Sequence, residues 1–159
     1  PFARTRPRAE PGPRSQDPTV SFLLDTCTLS ELTRPRPDAG VTAWFEEQDG
    51  RALFLSMLSV GEIERGIALL RAGRKKTALS SWLATLRSSY GERVLPVDDA
   101  VAVTWGRLAA GAERTGARLA VIDCLIAATA IHHGYTVVTR NSADFARTGV
   151  ALVNPWRDR

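Results

Sequence analysis

The chain has 159 residues, 44% of them hydrophobic and 24% charged, the make-up of one globular domain rather than of a disordered or collagenous polymer. Two cysteines, Cys27 and Cys124, are too few for a disulfide scaffold and suit a reducing, cytoplasmic setting; no apolar run reaches the ~20 residues of a membrane span. The net charge is +4, and half of that surplus lies in the first twenty residues, where four arginines face only Glu10 and Asp17. The body thus tolerates a polyanionic partner without identifying one.

Residues 1–19 hold five prolines and almost no large apolar group, so they are expected to form a flexible tail ahead of a single domain over 20–159. Val20–Leu24 is a short continuous apolar run ending at Asp25, the pattern of a strand buried on both faces. Thr33–Gly40 reads as a turn region, and Val41–Gln48 as a short helix around Trp44 and Phe45. Ala52–Leu55 is a second strand. Ser59–Arg71 has helical spacing through Val60, Ile63, Ile67 and Leu70, with Gly73 as its expected C-cap. Lys76–Tyr90 is a further amphipathic helix. Val94–Val97 is a third strand, and Asp98 or Asp99 caps a helix running to about Arg114. Val121–His133 is the next helix, closed by Gly134, followed by strands at Tyr135–Thr139 and Val150–Val153. Apolar strands separated by helices call for a three-layer α/β/α fold with a mostly parallel sheet of four or five strands. Ligands in such folds bind beyond the carboxyl ends of the strands.

Four acids fall on that edge. Asp25 and Asp144 follow strands, while Glu62 and Asp123 lie near the starts of helices. Each has an ordinary explanation alone. Asp25 can be a helix cap, Ser59 and Glu62 have capping-box spacing, Asp123 complements a helix dipole, and Asp144 sits in a loop. Together they would repel one another and raise their pKa values. A hard divalent cation, Mg²⁺ or Mn²⁺, resolves that repulsion with oxygen ligands. The lack of a His/Cys ligand set argues against zinc, and an acidic site without an obvious nucleophile suits metal-assisted phosphodiester cleavage.

The segments D-T-C-T-L-S-E-L, S-V-G-E-I-E-R-G-I, D-C-L-I-A-A-T-A and V-T-R-N-S-A-D-F resemble the successive motifs of PIN-domain ribonucleases, in particular the VapC-type toxins of toxin–antitoxin modules. The ending G-V-A-L-V-N-P-W is similar to that subgroup, and the likeness covers about residues 20–156. The resemblance implies that Asp25, Glu62, Asp123 and Asp144 form a metal-binding catalytic quartet. It implies that Asn141 and Thr139 are auxiliary polar groups, and that Arg140 contacts a substrate phosphate. It also implies Mg²⁺-dependent hydrolysis of RNA, a homodimer, and silencing by a small antitoxin that covers the acidic groove. One residue departs from the pattern: Cys27 stands where the family usually has Asn, which bears on how Asp25 is supported.

Other conspicuous residues have simpler roles. Cys27 and Cys124 suit small buried packing positions, His132 and His133 suit a helix C-terminus, and the four tryptophans suit core or interface packing. Arg71, Arg74, Lys75 and Lys76 suit a solvated helix junction. An aspartyl-phosphate phosphohydrolase would want a second acid where Cys27 stands. Two other readings share the same residues: a PIN-like module that binds RNA or an antitoxin without cutting, and a PIN nuclease of RNA processing outside any toxin pair.

Overall fold

The structure is a computed structural model and describes residues 20–157; the expected N-terminal tail lies outside the described residues. Five strands, β1 (Phe22–Leu24), β2 (Leu53–Ser56), β3 (Val94–Leu95), β4 (Thr136–Val138) and β5 (Leu152–Val153), form one sheet in the order β3-β2-β1-β4-β5. Every neighbouring pair is parallel. The chain builds outward from β1 to β3 and then returns to the other side of β1, so the strand order reverses between β1 and β4. Leu24 is in register with Leu55 and with Val138. Asp25, Ser56 and Thr139 therefore leave the sheet level with one another, at the crevice where α/β folds place ligands.

Strand alternation sorts the core into two layers. Leu23, Val137 and Phe54 point to the side packed by Ile126, Ala127, Ala130 and Phe145. Leu24, Leu53, Leu55 and Val138 point to the other side, against Leu29, Trp44, Ile63 and Trp82. Leu23 and Leu24 are both fully buried, as a strand covered on both faces requires. The helices that cover the sheet are α1 (Thr26–Glu31), α2 (Ala39–Glu47), α3 (Met57–Ala68), α4 (Arg74–Tyr90), α5 (Asp99–Arg114), α6 (Val121–His133) and α7 (Ser142–Ala146). Four begin on side chains that accept first-turn N–H groups: Asp25, Asp38, Ser56 and Asp98. Gly134 closes α6 in the left-handed conformation, φ 71°, as expected of a glycine C-cap. No helix among the described residues is long and apolar enough to cross a membrane.

Several boundaries differ from the sequence reading. The capping box at Ser59–Glu62 does not form, because α3 starts earlier with Ser56 as its cap, leaving Ser59 buried inside the helix with its Oγ unbonded. Gly73 does not close α3, which ends at Ala68; it precedes α4 instead. The apolar spacing runs on through Leu69 and Leu70 after the helix has stopped, and Leu69 is largely exposed. The helices α1 and α7, of six and five residues, are too short to show a helical period.

Candidate active site

Asp25 is the most constrained of the four acids. It is 4% exposed, and its Oδ1 accepts the Thr26 N–H at 2.7 Å. Its Oδ2 accepts the Thr139 hydroxyl at 2.8 Å and the Cys27 thiol at 3.2 Å. Its own N–H bonds the Val138 carbonyl at 3.1 Å, extending the β1–β4 ladder by one step. A carboxylate in this cradle has one orientation.

Cys27 binds in two directions. Its thiol donates to Asp25, and its sulfur accepts the Arg140 N–H at 3.3 Å. It thereby ties α1 to the loop after β4, a linkage that a side-chain amide could also make. Burial, then the Asp25 charge, pushes the thiol pKa up, so it remains a donor beside the carboxylate. Thr139 extends the linkage, since its hydroxyl oxygen also accepts the Asn141 N–H at 3.0 Å.

Glu62 is exposed on α3 and accepts the Thr26 hydroxyl, so Thr26 serves both acids, one through its backbone and one through its side chain. Asp123 lies in the first turn of α6. Burial first, then the charges of Asp25, Glu62 and Asp144, push its carboxyl up to about 6. Asp144, exposed on α7, is placed by a bond from its N–H to the Asn141 carbonyl at 3.0 Å. One carboxyl thus feels all three others, which places the four acids in one field.

None of the four acids forms an ion pair among the described residues, where the ion pairs are Glu31–Arg34 and Asp49–Arg51. No three acidic, His or Cys side chains among the described residues close into a ready-made ligand cage. Glu62 leans to Thr26, and Asp144 stays at the open rim. Such an open set of oxygen donors fits a hard cation that keeps part of its water shell.

Asn141 precedes α7 and offers it no side-chain cap. Arg140 is exposed, its guanidinium 5.6 Å from the centre of the Trp156 ring. Two supporting residues went unread in the sequence. Thr26 is one, hidden inside the first motif. Asn154 is the other: 5% exposed, it donates to the Arg140 carbonyl at 3.3 Å and to Ser142 Oγ at 3.1 Å. The N-P-W ending was its only signal. His132 and His133 end α6, roughly 15 Å along the helix from Asp123 at 1.5 Å per residue, too far to serve as a base there.

Chains of known function are similar to this one. Toxin FitB of Neisseria gonorrhoeae is 38% identical over 138 residues, spanning 86% of this chain and 99% of that protein. VapC ribonuclease Y4jK of Sinorhizobium fredii is 36% identical over 136 residues, spanning 85% and 97%. The crystal structure of FitAcB from Neisseria gonorrhoeae superposes with a TM-score of 0.81 at 37% identity, covering 86% of this chain and 99% of that one. The family model for the PIN domain matches residues 22–151, and the chain belongs to the PIN domain family.

Proposed function

We propose that the chain is a metal-dependent ribonuclease, the toxin of a toxin–antitoxin pair, with Asp25, Glu62, Asp123 and Asp144 as its catalytic, metal-binding acids. The observation that carries the reading is the convergence of the acids: Thr26 bonds both Asp25 and Glu62, Asp123 and Asp144 line one cleft, and burial with the three neighbouring charges raises the Asp123 carboxyl to about 6. A protein gains nothing from that repulsion unless a cation enters. The relatives named as a toxin and a ribonuclease supply the substrate class and the setting. A small antitoxin partner, a homodimeric state and a cytoplasmic location belong to the same reading.

The four acids would hold Mg²⁺, or Mn²⁺ in its place, which would supply Lewis acidity at the phosphodiester and lower the pKa of water. The protein's own part is placement. Thr26, Cys27 and Thr139 fix the Asp25 carboxylate, and Thr26 turns Glu62 toward it. Asn154 pins the loop that carries Arg140 and Asn141. Arg140, exposed at that loop, would meet a substrate phosphate with its planar fork. Cys27 in place of Asn leaves Asp25 bonded on both oxygens, which favours an active enzyme over a non-cutting module.

Purified protein incubated with single-stranded RNA should cleave it in Mg²⁺ or Mn²⁺ and stop when EDTA is added. Binding without cleavage across both metals and several RNAs would favour the non-cutting module instead. Thr139→Val should weaken Mn²⁺ affinity about 10–100-fold, because it removes a bond that orients a ligand. Calorimetric titration measures this directly, and unchanged affinity would remove Thr139 from the positioning set.

A further inference from the structure

Beside Asp123 and Asp144 lies a cleft of about 330 Å³. Its walls include Arg118, Ala120, Asp123, Ala143, Asp144 and Arg147. Arg118 comes from the loop between α5 and α6, and Arg147 directly follows α7. Both are exposed. Although they share a small cleft with two carboxylates, neither is in either of the ion pairs formed among the described residues. Ala120 precedes α6 and has no side chain to cap it, so the positive end of that helix also meets the cleft.

We propose that Arg118 and Arg147 form a subsite for the RNA backbone, gripping a phosphate of the strand next to the one cleaved; this rests on the ribonuclease reading above. Arginine suits the task because its fork meets phosphate oxygens bidentately. Two cations against two acids leave the cleft near neutral, and a divalent cation on the acids would turn it positive. Grip on the strand is therefore coupled to loading of the site. The protein partner fits the cleft less well. An antitoxin must answer four acids with cations of its own, and these two arginines would repel them.

The test keeps all four acids and uses a phosphorothioate-linked RNA that resists cleavage, with wild-type protein and with R118Q and R147Q. Binding of this short fluorescent single-stranded RNA is followed by anisotropy across a salt series in Mg²⁺. Each Gln should weaken binding roughly tenfold, equally for two unrelated sequences, as loss of a charge-assisted contact does. The slope of log affinity against log salt should shrink by about 0.7 per arginine. R118K/R147K should keep the slope and lose part of the affinity, since a point charge replaces a fork. If the double Gln variant binds RNA with unchanged affinity and slope while wild type cleaves the unmodified RNA, the subsite is refuted and the ribonuclease reading stands. Loss of antitoxin binding with RNA binding intact would assign the cleft to the protein partner and refute it too. Wild-type protein that neither binds nor cleaves RNA would overturn both.

Discussion

Asp25→Asn should reduce RNA cleavage by about 10³-fold or more, the scale on which removal of a residue that stabilises reacting charge is felt. The expectation follows from how completely Asp25 is committed. Its Oδ1 serves as the cap of α1, and Oδ2 receives two side-chain donors. An amide can still cap with its oxygen, but its NH₂ faces the Thr139 hydroxyl and the Cys27 thiol in place of an acceptor. Thr139 can turn its proton away and accept, so the fold should lose only about 1 kcal/mol, the net worth of one hydrogen bond. Asp25→Ala is the blunter variant, since it also removes the helix cap, worth about 1 kcal/mol more. Single-turnover cleavage beside a thermal melt separates the two effects. Cleavage within tenfold of wild type by a folded Asp25→Asn protein would remove Asp25 from the catalytic set.

The acids were legible before the fold was, and for a physical reason. Asp25 ends a run too apolar to carry a charge casually, and Asp123 interrupts a helix that is otherwise buried through Cys124, Ile126, Ala127 and Ala128. Charges in such places need a purpose. What was not legible is the support around them. Thr26, Cys27 and Thr139 meet only because β1 and β4, 114 residues apart at Asp25 and Thr139, lie side by side in register. That pairing follows from topology, which local pattern does not encode. Asn154 was hidden for the same cause. The misplaced start of α3 has a different origin: Ser56 and Ser59 can both cap, and the choice between them falls on the one at the strand end. Arg118 and Arg147, 29 positions apart in the chain, come to one cleft only through the fold.

Asp123→Asn should separate catalysis from stability most sharply, because the two move in opposite directions. The Asp123 carboxyl sits at about 6 instead of the ordinary 3.8, through burial and then the charges of Asp25, Glu62 and Asp144. In metal-free protein, the folded state between about pH 4 and 6 therefore holds a proton that the unfolded chain has released. Stability falls as pH rises through that window, and above it the fold carries the whole cost of the charge. For a half-buried, solvent-screened group that cost is discounted to about 1 kcal/mol. Asn removes it. In EDTA at pH 7.5 the Asp123→Asn protein should thus melt about 2–4 °C above wild type, with the difference gone near pH 4. In Mg²⁺ the order should reverse, since wild type gains stability by mass action and the variant lacks a ligand. Cleavage should be lost with the ligand, and wild-type metal affinity should fall below about pH 6, where protons compete for the same oxygen. A variant that melts lower than wild type in EDTA at pH 7.5 would mean that Asp123 is stabilised, not repelled, where it stands. The four acids would then have no need of a cation.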